Sequence, residues 1–287
     1  MNNTHRSVIK KIRKLRGISQ RQLGTLIGSQ SMVSRIENNQ TEPNDHTLFL
    51  LCRALNISFD EYFNSVFGQR ESYLEKLESV LLTSYIENDR QQLNNLTEFY
   101  FQRFSDDPND LAIFHQLMMV KATLFHFDFK LASFDEQNKL IEYFFGVQEW
   151  QYYDLSLLEW TINMLDIKKI IPYVFEIVRR NNSKQISHRS SNLIEKIIIN
   201  ALEASIVQEE YKTTKCLLQM AELWQGRQIN FEFKTWLLFW KGIFEKKTHL
   251  NENYNKKIGH AYKIAIYLNS EATVYLFDRF LKSLGRD

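Results

Sequence analysis

The chain has 287 residues, 44% hydrophobic and 24% charged, with a formal net charge of +2, which excludes a disordered or collagen-like polymer and a small scaffold that needs metal or disulfide staples. Its length suits two domains, and its charge is too small to name a partner. Gly numbers 9 and Pro 3, about 3% and 1% against averages of roughly 7% and 5%, so the residues that punctuate sheet-rich folds are scarce and an all-α chain is expected.

Cys52 and Cys216 stand far apart, outside any CxxC spacing, which argues against a disulfide framework or a zinc site and suits a reducing cytoplasm. The first residues lack an apolar core, and no run approaches the roughly 18 apolar residues of a membrane span, so no membrane partner is expected. Charge is placed unevenly. Residues 1–40 hold eight basic side chains, among them Arg6, against Glu37 alone, a balance of +7. Through residue 65 it is +4, and the remaining 222 residues carry −2. A polyanion-binding head has this distribution, although a solvated helix face has it too, so motifs must decide.

In chain order, Val8, Ile9, Ile12 and Leu15 recur at helical spacing up to a stop at Gly17. Ser19-Gln20-Arg21-Gln22 reads as a capping box opening a second helix through Leu23 and Leu26, with Gly24 small enough for a close helix neighbour. After Ile27-Gly28, Ser29 caps a third helix over 30–38, with Val33 and Ile36 on one face and Gln30, Ser31, Ser34 and Arg35 on the other. Asn44 or Asp45 starts a fourth helix with Leu48, Leu51, Cys52 and Leu55 inward, and Ser58 to Glu61 is a capping box for a fifth. Two short helices joined by a tight turn, the second one polar, are the frame of a helix-turn-helix.

These residues carry a resemblance. Ile12-Arg13, Ile18-Ser19-Gln20, Gln22-Leu23, Ser34-Arg35-Ile36-Glu37, Glu42-Pro43 and Leu55-Asn56-Ile57-Ser58 resemble the phage-repressor or XRE type of helix-turn-helix domain over about 60 residues. The resemblance implies a DNA-binding domain over 1–66 whose third helix enters the major groove by its N-terminal end. Gln30, Ser31 and Arg35 would then face base edges, with Ser34 on the same DNA-binding face, and Gln20 and Arg21 would meet phosphates at a helix N-terminus. Arg13 and Glu37 fall where such domains pair an arginine of the first helix with a glutamate ending the third, a structural ion pair. From Leu23 to Glu37 is 14 positions, one fewer than in the phage repressors, so the turn is shortened.

From about residue 70 onward, eleven amphipathic segments follow one another, among them 74–82, 93–104, 111–127, 137–145, 153–165 and 170–180. They pair as hairpins of about 35–40 residues, a period that resembles tetratricopeptide-like repeats, and 67–287 is expected to be a right-handed α-solenoid. Its inner face would hold an extended peptide. Leu140 to Phe145, Glu149-Trp150, Tyr152-Tyr153 and Leu155 to Leu158 resemble the central stretch of Rgg/MutR-type regulators, the peptide-responsive regulators of low-GC Gram-positive bacteria. That resemblance implies a cytoplasmic homodimer that binds promoter DNA through two heads and a short signalling peptide through the repeats. Asn163 and Asn200, read as mid-helix where Asn is unfavourable, are candidates for the peptide backbone, and Arg179 and Arg180 for a peptide carboxylate. The tryptophans are expected mostly in the core.

No HExxH, GxSxG or P-loop is visible, and the seven histidines are too scattered for a helical metal pair. No catalytic residue, metal or cofactor is expected. Two alternatives keep the head: repeats that only mediate protein contacts or oligomerisation, and an effector enzyme with an autoregulatory DNA-binding head.

Overall fold

The computed structural model describes residues 5–67, 73–128, 130–182, 187–224, 230–249 and 254–284; residues 1–4 and the side chain of Arg6, counted above in the basic N-terminus, lie outside this set. Among the described residues every regular element is helical, and the chain divides into two compact units, Met1–Glu78 and Ser79–Asp287.

The first unit holds α1 (His5–Leu15), α2 (Gln20–Ile27), α3 (Gln30–Glu37), α4 (Asp45–Ala54) and α5 (Phe59–Phe67), and α6 (Tyr73–Ile86) starts within it. The first five are all too short to persist alone in water, so packing must hold them. Side-chain caps fix where four of them begin. Ser19 Oγ accepts from the Gln22 amide at 3.1 Å while Gln22 Oε1 accepts from the Ser19 amide at 2.8 Å, and Ser58 and Glu61 repeat this exchange at 3.0 and 2.7 Å. Ser29 Oγ accepts from the Met32 amide at 3.2 Å, and Asn44 Oδ1 from that of Thr47 at 2.8 Å. Each such cap contributes about 1 kcal/mol. Val8, Ile9, Leu23, Ile27, Val33, Ile36, Leu48, Leu51, Leu55 and Tyr62 converge in one core, which also buries Cys52 and raises its thiol pKa. A fully buried large side chain contributes about 1.5–3 kcal/mol, so this core outweighs the caps.

The second unit continues with α7 (Arg90–Asp106), α8 (Leu111–Asp128), α9 (Phe134–Gly146), α10 (Tyr152–Thr161), a 3-10 turn (Ile162–Met164), α11 (Ile167–Asn181), α12 (His188–Val207), α13 (Tyr211–Leu223), α14 (Phe231–Thr248), α15 (Tyr254–Tyr267) and α16 (Glu271–Leu284). Neighbours in sequence pack as hairpins, as in α7 on α8, α12 on α13 and α14 on α15. Every second helix also packs on the next: α8, α10, α12 and α14 form one row, and α9, α11 and α13 another, more loosely. This alternation of two rows is the arrangement of stacked helical hairpins, each unit burying its apolar face on its neighbours. Its centre is α12, where Ala201 to Ile206 are all buried. At the far end Phe277 of α16 stacks on Phe239 of α14 at 4.1 Å, with Trp236 edge-on at 4.7 Å.

Three boundaries differ from the sequence reading. The segment expected over 153–165 breaks after Thr161 into the 3-10 turn, so Asn163 is not mid-helix. Thr161 Oγ1 bonds the Leu157 carbonyl at 2.7 Å, a local bond that competes with the helical ladder. The helix α11 starts three residues before the expected position because Asp166 Oδ1 caps the Lys168 amide at 3.0 Å, which leaves Pro172 inside the helix on its exposed side. Ser187 caps α12 through the Ser190 amide at 3.1 Å, ahead of the first apolar residue of its periodic face.

Candidate functional site

Two glycines set the angle between α2 and α3. A Cβ added to Gly24 would stand 2.4 Å from Gln30 Cα and 2.5 Å from its nitrogen, so the two backbones are in contact there. Gly28, at φ +96°, ends α2 in the left-handed region that other residues avoid. With Val33 and Ile36 buried beneath it, α3 turns Gln30, Ser31 and Arg35 outward, all three exposed. Ser34 is half-buried and its Oγ accepts from Asn38 Nδ2 at 3.3 Å, while the Ser31 and Ser29 hydroxyls are hydrogen-bonded to each other at 2.8 Å. Arg21 is exposed on the first turn of α2.

Gln20 faces the other way. Its Nε2 donates to Glu37 Oε2 at 2.7 Å, and Glu37 is wholly buried. Arg13 closes the same carboxylate from α1: Nε donates to Oε1 at 2.6 Å, Nη2 to Oε2 at 2.8 Å, and Nη1 to the Ile18 carbonyl at 2.7 Å. Burial alone would push the Glu37 carboxyl pKa up, but the hydrogen bonds from Arg13 and Gln20 outweigh it and hold the group below the usual carboxylate range. One buried carboxylate thus ties α1 and the start of α2 to the end of α3. The result is a rigid polar helix tip beside a helix N-terminus, the combination that reads base edges and grips phosphates.

In the second unit, Asn200 on α12 donates from Nδ2 to the Glu159 carbonyl of α10 at 2.9 Å, and Asn163, almost fully buried, donates from Nδ2 to Glu203 Oε2 at 3.4 Å. Both asparagines therefore sit along the row of α10 and α12. Arg180 is placed elsewhere: Nη1 donates to the Gln148 carbonyl at 2.7 Å and Nη2 pairs with Glu176 at 2.7 Å, and Arg179 is exposed beside it. Among the described residues no hydrogen bond or ion pair joins either arginine to either asparagine. Glu203, His126 and Arg279 were not singled out from sequence, yet they connect to Asn163 in turn: Glu203 accepts from its amide, His126 Nδ1 lies 3.6 Å from Glu203, and Arg279 donates to the His126 carbonyl. The available signal was an acid inside the apolar run of α12, since a helix buried on all sides must find a partner for any charge it carries.

A cavity of about 390 Å³ opens at the N-terminal ends of α12 and α14, lined by Ser191, Glu195, Asn230 and Phe231 among others. Its buried acid is already served, because Glu195 accepts from Asn230 Nδ2 at 2.6 Å and Trp224 Nε1 at 3.2 Å. Among the described residues no group of three or more His, Cys, Asp or Glu is placed to hold a metal ion, and no helix is long and apolar enough to cross a membrane.

Comparison with known proteins gives two family matches: a helix-turn-helix over residues 9–62, and the C-terminal domain of the HTH-type transcriptional regulator Rgg over 105–279. Solved structures match over nearly the whole chain. The SHP pheromone receptor Rgg2 of Streptococcus dysgalactiae is 22% identical with a TM-score of 0.74, covering 97% of this chain and 99% of that one. The PrgX/cCF10 complex is 17% identical at 0.74, covering 97% and 91%, and a bacterial peptide pheromone/receptor complex is 16% identical at 0.73, covering 99% of both. At these identities the likeness establishes a shared fold.

Proposed function

This chain belongs to the Rgg family of HTH-type transcriptional regulators, and on that footing we propose that it is a cytoplasmic homodimer whose heads bind promoter DNA and whose helical repeats bind a short signalling peptide. The head spans 1–66 and the repeats, with the dimer contacts, 67–287. The observation that carries the DNA reading is the exposed tip of α3 held over the buried Arg13, Gln20 and Glu37 network. Gln30 offers the bidentate pairing for adenine and Arg35 that for guanine, with Ser31 and Ser34 as short neighbours. Arg21 and the backbone amides at the start of α2 take a phosphate, and Gln20 acts there mainly by locking α2 to α3.

The peptide reading draws on the two-row helical stack and on the matched bacterial peptide pheromone/receptor complex. An extended peptide leaves its own amides unpaired, and Asn163 and Asn200 lie in the row of α10 and α12 where such groups could be met. At the end of α11, Arg179 is exposed and free to approach a peptide carboxylate, whereas Arg180 would have to leave Gln148 and Glu176 to do so. A peptide can alter promoter binding only by favouring one of two states of the dimer.

The test uses the chain's own fluorescence. Trp160 on α10 and Trp236 on α14 are half-buried within that row. Short apolar peptides encoded beside the gene should change their emission saturably and shift operator affinity by about 5–150-fold, the usual range of allosteric coupling. A flat response to all of them would leave the repeats as a protein-contact module alone.

A further inference from the structure

Glu203 is 4% exposed and Asn163 1% exposed, and each buries an oxygen with no hydrogen-bond partner among the described residues. Glu203 Oε2 receives only the long bond from Asn163 at 3.4 Å, and its Oε1 stands 3.6 Å from His126 Nδ1, outside hydrogen-bonding reach. Glu203 Oε1, Asn163 Oδ1, His126 Nδ1 and Arg279 Nη1 are all buried without a hydrogen-bond partner among the described residues. These atoms come from α12, the 3-10 turn, α8 and α16. They form one node. Arg279 Nη2 donates to the His126 carbonyl, and its guanidinium lies 4.7 Å over the Tyr85 ring and 4.4 Å over the Phe127 ring. The Tyr85 ring is itself 5.1 Å from that of His126.

Buried polar groups in folded proteins are nearly always paired, and an unpaired one costs stability that an apolar side chain of similar size would not. Four in one place are therefore a cost that folding does not require. Stability is given up in this way where a site is kept ready for a ligand. The node also has a floor and a rim: Glu203 and Asn163 lie deepest, while the His126 side chain is 19% exposed and Arg279 is half-buried on a long flexible stem. Glu203 and Asn163 contribute acceptors and Arg279 a donor, with formally one acidic and one basic side chain among them. An added carboxylate would confront Glu203, and an added ammonium would confront Arg279. A primary amide, with two donor hydrogens and an acceptor oxygen, can serve Glu203, Asn163 and Arg279 together, and a hydroxyl can serve Arg279 and one of the two acceptors.

We propose that this node is the specificity subsite of the repeat unit, taking one amide or hydroxyl group of the peptide. The inference rests on the peptide reading above. The probes are synthetic apolar heptapeptides carrying Asn, Ser, Leu, Asp or Lys at the central position, titrated into the full-length chain. The Asn and Ser probes should bind at least about tenfold tighter than the other three, since a site built to hydrogen-bond rejects analogues that leave it unpaired. Glu203→Met and Asn163→Leu should abolish that preference and yet melt about 2–4 °C higher than the wild type. The near-isosteric Glu203→Gln should keep the fold and relax the rejection of the Asp probe. Lower melting of both apolar variants, or a preference that survives them, would overturn the proposal by making the node a structural one. Probes that bind without preference would defeat the subsite alone. Probes that fail to bind the wild type at all would defeat the peptide reading and the subsite together.

Discussion

Glu37→Ala should destabilise the N-terminal unit by about 3–5 kcal/mol, the cost of leaving one partner of a buried ion pair uncompensated. The stranded groups are specific. Arg13 is only 8% exposed and would lose two of its three bonds, and the Gln20 amide would lose its acceptor. Thermal melting followed by circular dichroism should show this as a separate early transition of the head, accompanied by loss of DNA binding. Arg13→Met combined with Glu37→Leu should recover most of the stability, because it removes both charges together. The same carboxylate sets an acid limit. Its folded pKa lies below the value of an unfolded glutamate, so its contribution is full above about pH 4.3 and is lost as the pH falls through the lower folded value. In the Arg13→Met, Glu37→Leu variant that part of the acid dependence should vanish.

The second large effect concerns recognition and leaves stability alone. Gln30→Ala with Arg35→Ala should lower operator affinity by roughly 30-fold to 10⁴-fold at fixed salt, each bidentate pair being worth about 1–3 kcal/mol of discrimination. Both side chains are exposed on α3, so melting should not move. Arg21→Ala should act differently, weakening binding to every sequence alike and lowering the salt slope by about one. Unchanged operator affinity in the double variant would place the base contacts elsewhere on the head.

The head was legible because its signals are local. The caps at Ser19, Ser29, Asn44 and Ser58, the left-handed stop at Gly28 and the apolar spacing of Val33 and Ile36 are each written within a few residues. Even the contact across Gly24 follows from a small residue facing a turn. Eleven helices beyond residue 70 were legible by period, and eleven are present among the described residues. Their pairing as hairpins was legible too; what escaped was the stacking of every second helix on the next. The rows α8, α10, α12, α14 and α9, α11, α13 depend on which faces meet across 30 to 40 residues, and one chain's periodicity does not specify partners. The break at Thr161 escaped for a related reason, since a threonine bonding back to a carbonyl looks the same in a helix and at its end. The polar node escaped because a glutamate in α12 reads as a solvent-facing residue until both flanks of that helix are covered. Gln20 shows what transfer by position leaves out: its amide is bonded to the buried Glu37, and for that reason the proposed phosphate contact is assigned to Arg21 and the backbone amides.

The central claim is that two copies of the α3 tip read successive grooves of one duplex. Selection of bound sequences from a random duplex pool by the full-length chain tests it most directly. The account predicts an inverted repeat with half-site centres about 10–10.5 base pairs apart or a multiple of that, with loss of preference at one base position per half-site in Gln30→Ala. A pool that returns no enriched repeat, or one that Gln30→Ala reads unchanged, would contradict it.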